Sequence, residues 1–464
     1  MFDHQITRRA FAGLVTAAPL GFAAETSEWT NLFDGQTLNG WRPSENKSSW
    51  TVVDGALTAN GPRSHLFYTG PVRAADFRNF ELEVELTTQP DCNSGVYFHT
   101  AYQESGFPEK GFEVQVNNTA HGDRGYLERK KTGSLYGLRN MYKQLVPDGK
   151  PFTMHIAVRG KNIQIRLNGE LLIDYWEPTP PVVPEGAEKM RFLDHGTFAL
   201  QCHNDGSRVA YRKVRVRPLS DNLPAYAGTP PLVDDTFRSI INIGRHNIPM
   251  VDYHVSLRNG LTLQDALRKS RKDGIQYGIT APSTALKNDV AAARWLGPIT
   301  GKPVFCGLYI EDRNWTRAIS RTTAQRFDYV LATSHAGANP EEIIERLSNE
   351  PIDIFALLHA NTAWTDSQMD KLMDALLKNQ VAIEINSREQ LPSQAFIERA
   401  KQAGCKFGFG TGNQTAAELK RSEYGLRMVE ACKLDWHAFF VPGAWWPKAL
   451  LRESAGHMDR RWPA

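Results

Sequence analysis

The chain has 464 residues, 41% of them apolar and 10% aromatic, with 54 Lys and Arg against 51 Asp and Glu for a net charge of +3. That length exceeds what one hydrophobic core sustains, and the apolar content is too high for a disordered chain, so two folded units are expected. Charges of both signs are mixed along the sequence, which argues against nucleic acid and other partners chosen by bulk charge, and no window of roughly eighteen apolar residues offers a membrane span.

At the N-terminus Thr7-Arg8-Arg9-Ala10-Phe11 sets paired arginines before an Ala- and Gly-rich apolar run ending at Ala24. This layout reads as a twin-arginine-type signal peptide over residues 1–24, with delivery to the periplasm or outside the cell; the alternative is a basic amphipathic first helix. Such export carries folded protein, which suits a chain that takes up a cofactor or metal beforehand. The five cysteines include no Cys-x-x-Cys pair, so neither a zinc finger nor a dense disulfide framework is expected, and the odd count leaves at least one thiol free.

From Trp29 to about Leu219 short runs alternate apolar and polar residues, as in 80–86 and 163–167, with the period of half-buried strands. Asp54-Gly55 and Asn168-Gly169 sit between such runs, where a tight hairpin needs positive φ at both central residues. Many short strands without helical periodicity predict an all-β antiparallel sandwich over residues 25–220. A proline-rich stretch then marks a linker at 221–235. Within 236–464, strand-like runs at 274–280, 304–310, 329–332, 354–358, 381–385 and 406–409 alternate with helical patterns such as 340–348, 366–378 and 392–403. Strand then helix, repeated about seven times, predicts a parallel α/β barrel.

In Phe112-Glu113-Val114-Gln115-Val116, alternation puts Glu113 and Gln115 on one face and the apolar residues on the other. By the same rule Tyr97 and His99 share a face, as do Gln201 and His203. If those faces are concave, they join a carboxylate, imidazoles, amides and aromatics, a set suited to a sugar ring with one apolar side and many hydroxyls. Arg139, Lys130 and Lys131 read as solvated loop charges.

The opening Trp29-Thr30-Asn31-Leu32-Phe33-Asp34-Gly35 with Leu38-Asn39-Gly40-Trp41, the Asn93-Ser94-Gly95 segment and the Glu113-Val114-Gln115 strand are joined by a closing Phe198-Ala199-Leu200-Gln201-Cys202-His203 and Arg212-Lys213-Val214-Arg215-Val216. Together they resemble the 3-keto-disaccharide hydrolase domain across residues 29–219. The resemblance implies a concanavalin-like jelly roll acting on glycosides oxidised at C3. A C3 carbonyl acidifies the C2 proton, so a base can form an enolate that expels the C1 substituent, while donors or cations meet the enolate oxygen. For such a substrate Glu113 is the candidate base. His203 and His99 are candidates for enolate stabiliser, leaving-group acid or ligands of a divalent metal, and Gln115, Tyr136 and Gln201 would orient hydroxyls. Against these stand a solvated Glu-x-Gln strand face and a surface histidine at position 99.

Asp252-Tyr253-His254-Val255-Ser256, Leu308-Tyr309-Ile310-Glu311, Ser334-His335, Leu358-His359, Ile383-Glu384-Ile385-Asn386 and Thr411-Gly412-Asn413-Gln414 resemble, in order, motifs of the polymerase-and-histidinol-phosphatase (PHP) superfamily over about residues 245–440. That resemblance implies a distorted TIM-type barrel with metals at strand C-termini. Several ligand positions are changed: Ser256 ends a His-x-His, Thr280-Ala281-Pro282 replaces Thr-Asp-His, and Thr411-Gly412-Asn413-Gln414 replaces Ser-Asp-Ala-His. Ser, Pro, Gly and Gln do not offset the repulsion within a multinuclear cluster, so phosphoesterase chemistry is not expected. His254, Glu311, His335 and His359 remain, as ligands for one divalent ion or as polar groups of a degenerate scaffold. Three readings follow: an exported enzyme that cleaves 3-keto-glycosides by C2 deprotonation and C1 elimination, a glycan-binding sandwich without catalysis, or a metal-dependent hydrolase in the barrel with the sandwich targeting it.

Overall fold

The computed structural model describes residues 28–119, 127–183, 191–226, 228, 230–286, 288–310, 320–334, 338–358 and 364–442. The period-two runs form two antiparallel sheets. The larger runs β11 (Glu170–Trp176), β10 (Asn162–Leu167), β9 (Phe152–Arg159), β6 (Phe80–Thr88), β13 (Arg208–Pro218), β4 (Ala56–Asn60) and β3 (Trp50–Val53), with β1 (Thr30–Asn31) also paired to β13. The smaller runs β2 (Trp41–Pro43), β5 (Ser64–Tyr68), β12 (Thr197–Cys202), β7 (Asn93–Thr100) and β8 (Phe112–Asn117). Two tight turns fall on the expected pairs: Asp54 and Gly55 have φ of 50° and 72°, and Asn168 and Gly169 have 47° and 83°.

In β6 the side chains of Phe80, Leu82, Val84 and Leu86 are buried between the sheets. Glu81 and Glu83, on the outer face, meet Arg217 and Arg215 of β13 at 2.5 and 2.7 Å. Partly exposed ion pairs contribute at most about 1 kcal/mol. Each large apolar side chain buried contributes about 2 kcal/mol, so the apolar face sets the register.

Strands β7, β8 and β12 are buried on both faces. Val96, Phe98, Val114, Val116 and Leu200 fill the space between the sheets, while Tyr97, Glu113, Gln115 and Gln201 look away from it and are nevertheless covered. Part of the cover comes from residues 127–146. Their central strip runs along β8 as an extra strand, Gln115 N donating to Ser134 O and Tyr136 N to Glu113 O, both at 2.9 Å. This overturns the expectation of solvated loop charges. Lys130 is fully buried, Arg139 and Lys131 nearly so, and the Arg139 guanidinium lies 5.2 and 4.9 Å from the Tyr175 and Phe237 ring centres. The segment is pressed between the domains, so its cations pack on rings rather than in water.

The second half is a closed ring of seven parallel strands, β14 (Val251–Ser256), β15 (Gln276–Pro282), β16 (Phe305–Ile310), β17 (Tyr329–Thr333), β18 (Ile354–Ala356), β19 (Ala382–Asn386) and β20 (Phe407–Gly410), with β20 paired back to β14. Helices α1 (Asp235–Arg245), α2 (Leu263–Asp273), α3 (Asp289–Leu296), α4 (Pro340–Asn349), α5 (Asp366–Asn379), α6 (Gln394–Ala403) and α7 (Glu423–Ala431) accompany it. Their starts carry side-chain caps at Asp234, Thr262, Asn288, Asn339, Thr365 and Ser393. Helix α1 serves both domains: Phe237 and Ile241 enter the sandwich core, Ile240 and Ile243 the barrel core. Across the same junction Tyr142 donates its backbone N–H to Gln276 Oε1 at 2.8 Å, and Lys143 pairs with Asp328 at 2.6 Å.

Candidate active site

On the outward face of the smaller sheet, cross-strand pairing sets His65 of β5 opposite Gln201 of β12, and Tyr97 of β7 opposite Glu113 of β8. The covered face holds a half-open cavity of about 460 Å³, lined by Asn93, Tyr97, Phe107, Pro108, Glu113, Gln115, Glu128, Tyr136, Arg191, Gln201, His203, Arg245 and His246. Five of the side chains expected to act on sugar, Glu113, Gln115, Tyr136, Gln201 and His203, therefore meet in one place although they come from segments up to ninety residues apart.

Gly95 explains how the carboxylate fits. Glu113 is 7% exposed and lies across the neighbouring strand, so that a β-carbon built on Gly95 would come within 2.5 Å of Glu113 Oε1. The amides around it are fixed by each other and by a phenol: Gln115 Nε2 donates to Asn93 Oδ1 at 2.7 Å, and Gln201 Nε2 to Tyr97 Oη at 3.0 Å. Gln201 Oε1 is buried without a hydrogen-bond partner among the described residues. An unmet buried acceptor costs about 1–3 kcal/mol, which a ligand hydroxyl in the cavity would recover. Tyr136 donates its hydroxyl to Glu128 Oε2 at 3.0 Å, and Arg191 Nη1 donates to the Tyr136 carbonyl at 3.0 Å.

His99 is elsewhere. A bulge between β7 and β12 and a φ of 54° at His99 break the alternation that would have aligned it with Tyr97. Its ring instead packs edge-on against Phe80 and Phe98 in the space between the sheets. Nε2 faces the Arg78 carbonyl at 2.9 Å and must donate, while Nδ1 accepts from Asp194 N–H at 3.3 Å. Burial holds this neutral imidazole down to about 4. It does not reach the cavity and has neither a free lone pair nor a site for a second proton.

Residues with no sequence signal also take part. His65, fully buried, has neither ring nitrogen hydrogen-bonded among the described residues, and burial holds it neutral, near 3. Phe107, 40% exposed, lies over it from the 101–111 loop, with ring centroids 5.8 Å from His65 and 5.4 Å from His203. Glu128, Arg191, Arg245 and His246 come from loops and from the end of α1, where no alternation marks them.

In the barrel, His254 Nδ1 is 2.9 Å from Glu384 Oε2, and Asn386 Nδ2 donates to Glu384 Oε1 at 2.6 Å. Ser256 and Thr280 share a hydroxyl contact at 3.1 Å, where the superfamily pattern calls for ligands. Glu311, His335 and His359 lie outside the described residues. Among the described residues no group of three or more His, Cys, Asp and Glu side chains is placed to hold a metal. Of the expected ligand set only His254 is described, and its ring is hydrogen-bonded within a polar cluster with Glu384 and Asn386.

Residues 28–217 match the family described as the 3-keto-alpha-glucoside-1,2-lyase-like domain, a match that ends before the barrel. A 3-keto-disaccharide hydrolase of Bacteroides thetaiotaomicron is 28% identical over 154 residues, covering 29% of this chain and 52% of that protein, so the chain spans about half the length of this relative. Among solved structures, a provisionally named glycosyl hydrolase of Parabacteroides distasonis is 23% identical over 41% of this chain and 94% of its own, with a TM-score of 0.35. A carbohydrate-binding module of Bacillus subtilis is 14% identical over 38% of this chain and 95% of its own, with a TM-score of 0.26. It is thus the sandwich, with the Glu113 cavity on its outward face, that matches the 3-keto-glucoside lyase-like family.

Proposed function

We propose that the sandwich cavity cleaves 3-keto-glycosides. Glu113 removes the C2 proton, the electrons pass into the C3 carbonyl as an enolate, and their return forms the C1–C2 double bond as the C1–oxygen bond breaks. The leaving oxygen takes up one proton, and addition of water across the double bond completes hydrolysis. His203 is the group assigned to the enolate oxygen or the leaving group, with Gln115, Gln201 and Tyr136 orienting hydroxyls. The observation that carries this reading is the Glu113 carboxylate, folded over Gly95 inside a cleft lined by amides and phenols. The family match over residues 28–217 supports the substrate class.

Incubation with 4-nitrophenyl 3-keto-glucoside is expected to release nitrophenol, and Glu113→Gln to abolish release while retaining binding. Binding without turnover by the unmodified chain would favour a glycan-binding module instead. The twin-arginine layout of residues 7–24 supports export as part of this proposal. Fractionation of cells carrying Arg8→Lys with Arg9→Lys tests it, the precursor being expected to accumulate inside.

A further inference from the structure

The cavity is not built by the sandwich alone. Across its floor the side chains follow the strand order: Gln201 on β12 with His203 just past its end, Tyr97 on β7, Glu113 on β8, then Tyr136 on the strip beside β8. Beyond Tyr136 stand Arg191 and Arg245. Arg191 Nη1 and Arg245 Cγ each come within 3.9 Å of where a β-carbon on Gly137 would sit. Arg245 is the last residue of α1 and His246 its C-cap. His246 Nδ1 donates to the Asn242 carbonyl at 2.8 Å, leaving Nε2 as its outward nitrogen.

This end of the helix is clamped to the sandwich. Asn140 Nδ2 donates to Gly244 O at 3.2 Å, Tyr142 Oη to Ile248 O at 3.1 Å, and Asn247 Nδ2 to Leu127 O at 2.6 Å. The cavity thus has a polarity. Phe107 and Pro108 close the His203 side with apolar surface, and two guanidiniums and an imidazole at a helix C-terminus close the Tyr136 side. Among the described residues lining that side the carboxylate is Glu128, which accepts from the Tyr136 hydroxyl at 3.0 Å and lies 3.4 Å from the Lys130 ammonium. Glu113 lies between the two ends.

The geometry points to an acidic-aglycone subsite at the Tyr136 end, formed by Arg245 and His246 of the second domain together with Arg191. Resting on the proposed cleavage at Glu113, this assigns as preferred substrates 3-keto-glycosides whose leaving group carries a carboxylate, the planar anion that a guanidinium binds with two parallel hydrogen bonds. The sugar ring then stacks toward Phe107, and the leaving group projects past Glu113 toward α1.

The test compares 4-nitrophenyl 3-keto-glucoside with its ring-carboxylated counterpart on the full chain, wild type against Arg245→Ala and Arg245→Lys. The ratio of the two kcat/KM values, charged over neutral, is expected to fall about tenfold in Arg245→Ala, the usual scale for a charge-assisted contact. Arg245→Lys should restore part of it, and raised salt should erode the wild-type ratio. An unchanged ratio in Arg245→Ala overturns the subsite. If wild type turns over neither compound, the catalytic reading fails by itself. Binding of both compounds to wild type and Arg245→Ala then decides the subsite: loss of affinity for the charged compound alone supports it, and equal affinities overturn it.

Discussion

Gly95 offers the sharpest perturbation of the site that leaves the fold intact. A methyl group at that position would meet Glu113 Oε1 at 2.5 Å, Cγ at 2.9 Å and Cδ at 3.1 Å. Carbon contacts relax at about 3.5 Å, so the carboxylate must retreat by roughly 1 Å. A displacement of that size in a reacting group costs about a hundredfold in rate. The fold should bear the change, because the displaced atoms end a flexible side chain beside open cavity, and Ala in a strand gains about 0.5–1 kcal/mol over Gly. Gly95→Ala is therefore expected to lower kcat/KM for aglycone release about a hundredfold while its Tm stays within a few degrees of wild type. Wild-type turnover by this variant, at an unchanged Tm, would refute the placement of Glu113 as the base.

Phe107→Ala, which removes a ring that is 40% exposed above His65 and His203, is expected to raise KM about tenfold with little change in Tm, measured by initial rates and thermal unfolding. Burial holds His99 near 4 and His65 near 3, against 6.5 when unfolded. Between pH 6.5 and 4 the unfolded chain therefore binds protons that the native chain refuses, and stability falls with pH by about 2 kcal/mol per imidazole at pH 5. Urea unfolding at pH 5 and 7 reads this loss, and His99→Gln should reduce the difference. In the barrel, burial lifts the Asp252 carboxyl to about 6, against the hydrogen bonds from Thr411 and His254 that lower it. Native protein thus keeps a proton there that the unfolded chain releases above pH 3.8, and stability falls as pH rises to 6, by about 3 kcal/mol. Asp252→Asn can accept the Thr411 and His254 N–H groups and donate to Thr411 Oγ1, so its urea midpoint at pH 8 should equal or exceed that of wild type, while Asp252→Ala should fall below.

Much of this arrangement is written in local sequence. Period-two alternation and the pairs Asp54-Gly55 and Asn168-Gly169 specify strands and turns because both act over a few residues. The same alternation brings Glu113 with Gln115, and Gln201 with His203, to the cavity, whereas it misplaces His99, since one bulge inverts every face beyond it. The burial of Lys130, Lys131 and Arg139 is invisible in a window, because it is imposed by a second domain more than a hundred residues away. Arg191, Arg245 and Phe107 lie in loops or at a helix end, where no period records which way a side chain points. Gly95 is legible as a glycine, but its reason, the carboxylate lying across it, exists only in the folded sheet.

Abstraction of the C2 proton by Glu113 is tested most directly by isotopic substitution. With a 3-keto-glucoside deuterated at C2, wild-type protein is expected to release aglycone more slowly than with the protiated sugar, and to show no turnover of the glucoside whose C3 hydroxyl is intact. Equal rates for the two isotopologues under conditions where bond breaking limits turnover, together with cleavage of the unoxidised glucoside, would contradict the account.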